Sequence, residues 1–135
     1  MASEDTSLRA IFCYGTLMSP DVTKRVLSGC RYSSFSDLVF TDGTLHGYKR
    51  HALSDEMYPA IISSEGSSVL GKLVRNITRE QLQYLDQFEG SEYKREVVDV
   101  CVQGEDAPSK AYCYIWVDDI DRLLPEDWNY QSFIR

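Results

Sequence analysis

Apolar positions along this chain fall into short blocks with two different periods. Residues 9–14 form a β-branched and aromatic run, which predicts a strand. Ser19-Pro20-Asp21 follows it, with a hydroxyl at the cap, proline at the first helical position and an acid in the first turn. These predict a helix over residues 19–28 that stops at Gly29. Residues 30–64 read as several short extended pieces, with turn signals at Asp42-Gly43 and His46-Gly47. Residues 58–62 read as another strand start, and residues 69–74 as a strand containing Gly71. The clearest strands are 96–102 and 111–117, joined as a hairpin through residues 103–110, which hold Gly104 and Pro108. In the second arm Tyr112, Tyr114 and Trp116 share one face, and Cys113 and Ile115 share the other.

A second helix is signalled by Thr78-Arg79-Glu80-Gln81, the pattern of a capping box. Leu82, Leu85 and Phe88 then recur on one side. Residues 1–8 are expected to form a disordered tail and residues 9–135 a single domain. Many short strands with two helices predict an α+β fold, a small mixed β-barrel with flanking helices.

Composition narrows the function. Hydrophobic residues make up 43% of the 135, enough for one core. The net charge of −7 argues against nucleic acid, which needs a basic face. No apolar run reaches the roughly 20 residues that span a bilayer. The start of the chain is polar and acidic rather than basic then apolar, so no signal peptide is read. The four cysteines, Cys13, Cys30, Cys101 and Cys113, form no CxxC pair, and only His46 and His51 could join them. The expectation is therefore a cytoplasmic protein with reduced thiols, no metal and no cofactor. Its expected partner is a small-molecule substrate, with no nucleic acid and no membrane, and the expected state is a monomer or weak homodimer.

Candidate chemistry lies in two segments. A helix turns about 100° per residue, so Glu89, seven residues past Leu82, falls within about 20° of it on the wheel. Its carboxylate therefore projects from the apolar stripe. Burial disfavours the charged form and raises the pKa, and the negative end of the helix dipole pushes the same way. A carboxylate so tuned suits proton abstraction near neutral pH. Glu89 could instead be a frayed helix-end residue or a partner of Arg95. Glu92 and Asp86 are the neighbouring alternatives, Asp86 pointing off the stripe.

The second segment is Tyr14-Gly15-Thr16-Leu17-Met18-Ser19, where a strand breaks at a glycine before a helix. Strand, loop and helix start together place free backbone N–H groups where a carboxylate or oxyanion could sit. The bland alternative is an ordinary strand-to-helix turn. With one glycine and no following lysine it is no phosphate loop. Tyr112, Tyr114 and Trp116 could line a pocket or belong to the core. Arg95 could bind a substrate carboxylate or pair with an acid. Cys13 points opposite to Phe12 and Tyr14 and reads as a buried structural thiol. Residues 123–135, with Trp128, Tyr130 and Phe133, could cover a pocket mouth or pack on the barrel.

The segment from Tyr14 to Met18 resembles the opening signature of the gamma-glutamyl cyclotransferase-like superfamily. Leu85-Asp86-x-Phe88-Glu89-Gly90 followed by Tyr93-x-Arg95 resembles its second signature. Leu45-x-Gly47-Tyr48, Tyr58-Pro59-Ala60, Val69-x-Gly71 and Ala111-Tyr112-x-Tyr114-x-Trp116 fall in order with the family's strand pieces. The likeness covers about residues 10–117 and is nearest to the branch first named for plant avirulence-induced genes. Thr16-Leu17 stands where glutathione-pathway members carry serine-asparagine. The resemblance implies a compact α+β fold around a small mixed barrel. It implies Glu89 as acid/base and a substrate-binding loop of Tyr14, Gly15, Thr16, Leu17, Met18 and Ser19; Tyr93, Arg95 and Tyr114 are further substrate-binding candidates. It also implies closure of a γ-glutamyl amide to 5-oxoproline with release of an amine, without metal or cofactor. Two alternatives stand beside it. One is a cofactor-free lyase, cyclase or isomerase acting on a non-glutamyl molecule. The other is a non-catalytic stress-response binding module.

Overall fold

The computed structural model describes residues 8–29, 37–54 and 56–130. The tail expected over residues 1–8 lies outside these except for Leu8, as do residues 30–36 among the expected extended pieces and Phe133 near the end.

Five strands close into a barrel: β1 (Ala10–Cys13), β2 (Val39–Ala52), β3 (Pro59–Arg75), β4 (Tyr93–Val102) and β5 (Ser109–Trp116). Around the barrel the order is β1, β3, β2, β4, β5, and β5 returns to β1. That last pairing is parallel, with Ile11 opposite Tyr112, and the others are antiparallel. The barrel is therefore mixed. Two helices flank it, α1 (Pro20–Leu27) and α2 (Arg79–Glu89). Among the described residues no helix is long and apolar enough to cross a membrane.

The apolar run of β1 is explained by burial on both faces. Phe12 and Tyr14 turn into the barrel with Leu45, Ile61, Leu73, Val100, Cys113 and Ile115. Ile11 and Cys13 face outward into a second core with Leu17, Met18, Leu27, Leu85 and Tyr114, beneath the helices. The two faces read from β5 thus separate as expected. Cys113 and Ile115 fill the barrel, and Tyr114 lies under α2.

The turn signals at Asp42-Gly43 and His46-Gly47 do not end strands, because β2 runs through both. Gly43 lies directly opposite Gly71 of β3. A Cβ on Gly71 would come 2.4 Å from the Cys13 carbonyl and 2.8 Å from the Phe12 ring, and one on Gly43 would come 2.9 Å from Val100. The pair makes room for Phe12 at the barrel centre, the close-approach role of glycine in a strand. Gly47 marks an irregularity instead. Pairing steps from His46 with Ser68 to Tyr48 with Ser63, so residues 64–67 stand out of the ladder. This excursion is why the segments 58–62 and 69–74 read as two strands, when all of their residues but Tyr58 belong to the 17-residue β3.

The caps formed where the sequence placed them. Ser19 Oγ accepts from the Val22 N–H at 3.3 Å, with Pro20 opening α1. Thr78 Oγ1 accepts from the Gln81 N–H at 3.0 Å, and Gln81 Oε1 accepts from the Thr78 N–H at 2.8 Å. Gly90, at φ +77°, turns the chain sharply off α2.

Candidate active site

The last turn of α2, the turn after β1 and the start of β3 enclose a cavity of about 300 Å³. Its wall includes Ile11, Phe12 and Cys13, the turn residues Tyr14, Gly15, Thr16 and Leu17, then Tyr58 and Pro59. Phe88, Glu89, Glu92, Tyr93 and Tyr114 complete it. Of the sequence candidates, Glu89, Tyr14, Gly15, Thr16, Leu17, Tyr93 and Tyr114 are brought together in this wall. Met18, Ser19 and Arg95 are not part of it. Met18 is buried in the outer core, Ser19 is spent as the cap of α1, and Arg95 is held by Asp86 at 3.1 Å over the Tyr112 ring.

The glycine turn is a short 3-10 turn, Thr16–Met18, set ahead of α1. Four successive carbonyls in it have fixed donors. Arg50 Nη1 donates to the Tyr14 carbonyl at 2.7 Å, and Met18 N–H to that of Gly15 at 3.0 Å. Ser19 N–H donates to Thr16 at 3.2 Å, and the buried Thr23 hydroxyl to Leu17 at 2.8 Å. The amides of Gly15, Thr16 and Leu17 take no part in these bonds. This changes one expectation. The residues beside the cavity are Gly15 and the 3-10 turn that follows it, whereas in the first turn of α1 the Val22 N–H is taken by Ser19. Gly15 itself packs against Pro59, where a Cβ would come 2.7 Å from the proline ring.

Glu89 leaves α2 from the face that carries Leu82 and Leu85, both buried. Phe88, read as a member of that stripe, is 52% exposed and overhangs the cavity. It sits about 120° from Leu82 on the wheel. Burial first, and the negative charge of Asp86 second, push the Glu89 carboxyl from 4.5 up to about 7. Among the described residues no hydrogen bond or ion pair holds that carboxyl. Its two acidic neighbours differ. Glu92 also lines the cavity but is paired with Arg122 at 2.5 Å. Asp86 does not line it. Asp86 faces β5, contrary to its sequence reading, and accepts from the Tyr114 hydroxyl at 2.7 Å.

Aromatic hydroxyls brace the walls. Tyr14 Oη donates to the Tyr114 carbonyl at 2.6 Å, and Tyr93 Oη to the Pro59 carbonyl at 2.8 Å. Burial raises the pKa of Tyr14, Tyr93 and Tyr114, so all three stay protonated. Burial likewise pushes the Cys13 thiol up, which keeps it un-ionised in the wall. Sequence reasoning missed Tyr58 and Pro59 as wall residues, although both sit in a segment it had singled out. It also gave no role to Arg50. The described part of the C-terminal segment packs on the barrel: Leu124 N–H donates to the Ala52 carbonyl at 2.9 Å, and Ala52 N–H to that of Glu126 at 3.0 Å. Trp128 is buried in the core behind the glycine turn and is not in the cavity wall.

The closed mixed barrel with its two flanking helices is the fold of the gamma-glutamyl cyclotransferase-like structures. The sequence profile described as "Gamma-glutamyl cyclotransferase, AIG2-like" matches residues 11–130, and the chain belongs to that family. It is 30% identical to AIG2-like protein B of Arabidopsis thaliana, over 99% of this chain and 74% of the relative. A solution structure of another Arabidopsis thaliana protein superposes with a TM-score of 0.73 at 28% identity, over 99% of this chain and 85% of that one. An AIG2-like protein from Mus musculus shares the fold, with a TM-score of 0.71 at 19% identity over 90% and 88%.

Proposed function

We propose that this protein is a gamma-glutamyl cyclotransferase, which closes the γ-glutamyl group of a small amide into 5-oxoproline and releases the amine. The observation that carries the reading is Glu89, a carboxyl unpaired among the described residues and pushed up to about 7, in one cavity with the glycine turn. An α-ammonium has a pKa of about 8 and is not nucleophilic until it loses a proton. Glu89 takes that proton. The freed α-nitrogen attacks the γ-carbonyl carbon of the same molecule, so the new N–C bond closes a ring without a second reactant. Glu89 then gives a proton to the departing nitrogen and the old C–N bond breaks; the ring nitrogen loses its surplus proton to the released amine, which leaves as an ammonium, and the carboxylate is restored. No water is consumed. The amides of Gly15, Thr16 and Leu17 hold the substrate's α-carboxylate, and the Tyr, Phe and Pro walls keep solvent from the reacting atoms.

The test is a mass-spectrometric screen for 5-oxoproline release from a panel of γ-glutamyl amides. Wild-type protein is expected to process at least one, and Glu89→Gln none. A fully active Glu89→Gln protein overturns the mechanism. One observation favours a second reading: among the described residues the cavity wall holds two acids and no Lys, Arg or His. Such a wall also suits proton transfer on a less anionic, non-glutamyl molecule by the same base. A blank panel, together with no binding of 5-oxoproline, decides for that alternative.

A further inference from the structure

Arg50 stands near the end of β2, behind the glycine turn and outside the cavity wall. Its side chain is only 14% exposed. Nε and Nη2 donate to the two carboxylate oxygens of Asp127 at 2.8 and 3.3 Å, a bidentate clamp. Nη1 is left to reach the Tyr14 carbonyl at 2.7 Å, with a longer contact of 3.3 Å to that of Leu70. Asp127 is itself fixed, because Oδ1 accepts from the Trp128 N–H at 2.7 Å and the Trp128 indole N–H donates to the Met57 carbonyl at 2.7 Å. The Trp128 ring lies 5.8 Å from the guanidinium carbon.

The Tyr14 carbonyl and the Gly15 N–H are opposite ends of one rigid peptide plane. A donor that fixes the carbonyl therefore fixes the direction of the N–H. A cationic donor also draws electron density from the plane and makes the N–H a stronger donor in turn. A bond that merely satisfied the carbonyl would need neither a charge nor a clamp. Among the described residues the wall carries no basic side chain, which leaves the backbone amides of the turn as its donors for an anion. We propose that Arg50, clamped by Asp127, is a positioning residue that aims the Gly15 N–H at the substrate's carboxylate and strengthens it. This rests on the reading that the turn amides bind substrate.

The experiment compares wild type with Arg50→Met, Arg50→Lys and Asp127→Asn. It reads thermal stability, the Gly15 amide proton shift by NMR, the Kd for 5-oxoproline, and kcat and KM on the best γ-glutamyl amide. Arg50→Met is expected to move the Gly15 proton upfield. Losing one charge-assisted bond should raise Kd and KM about tenfold, with kcat within about twofold. Arg50→Lys is expected to recover part of both effects, and Asp127→Asn to fall between. Arg50→Met protein that only melts earlier, with a wild-type Gly15 signal and KM, overturns the proposal. If Arg50→Met does not fold, Arg50→Lys and Asp127→Asn carry the same comparison. If wild type neither turns over the panel nor binds 5-oxoproline, it is the function that fails, and the Gly15 shift still decides the role of Arg50.

Discussion

Three carboxylates surround the end of α2, and their partners separate them. Glu92 has Arg122, and Asp86 has both Arg95 and the Tyr114 hydroxyl, whereas Glu89 has no hydrogen-bond or ion-pair partner among the described residues. Removing Glu89's ability to exchange a proton is therefore expected to cost the most. Glu89→Gln should lower kcat/KM by at least about a hundredfold, the usual reach of general acid–base catalysis. The same variant has a stability signature. Folding raises this carboxyl from 4.5 to about 7, so folding favours its protonated form. That contribution is complete below pH 4.5 and is lost as the pH climbs past 7. Glutamine stays neutral throughout. Glu89→Gln should thus stabilise the protein above pH 7 by up to about 3 kcal/mol and change little at about pH 4, as read by urea unfolding. Equal effects at both pH values would mean that the carboxyl is solvated. Asp86 supplies the second push on Glu89. Asp86→Asn should therefore move the Glu89 midpoint below about 7, seen in its carboxyl NMR titration or in the acid limb of kcat/KM. An upward move would contradict the sign.

Between elements, the tightest constraint is the meeting of β1, β2 and β3 around the Phe12 ring. A methyl on Gly71 collides with a backbone oxygen, which cannot move without breaking β1 from its neighbours. A methyl on Gly43 meets a Val100 side-chain methyl, which can yield. Gly71→Ala is expected to cost more than about 2 kcal/mol and Gly43→Ala about 1 kcal/mol, compared by chemical denaturation. The reverse order would show that the β1 backbone is the softer partner. These glycines also show where the sequence could be read and where it could not. Ser19-Pro20 and the Thr78–Gln81 box are local chemistry, closed within three residues, and both caps formed as read. Glu89 was legible because a helix has a fixed period. Asp42-Gly43 was misread because a glycine that admits a distant ring looks the same in sequence as a glycine that turns the chain. Arg50 with Asp127, 77 residues apart, left no local pattern at all.

Across the whole molecule, the cavity is built in front by α2 and the glycine turn and supported from behind by the far end of the chain. Trp128 is 8% exposed, shares the outer core with Leu17 and Met18, and pins Met57 beside the wall residue Tyr58. It is not among the residues that line the cavity. Trp128→Ala should therefore separate support from chemistry. Deleting a buried indole costs about 3–5 kcal/mol, which for a chain of this size lowers Tm by roughly 10 °C or more. Well below that Tm, the loosened turn should weaken substrate binding and raise KM, while kcat changes much less. The Glu89 midpoint should stay at about 7, because its causes are burial and the charge of Asp86, and Trp128 does not line the cavity. A Trp128→Ala protein with a normal KM and a displaced Glu89 midpoint would reverse this division, and would mean that the C-terminal segment tunes the acid rather than bracing the turn.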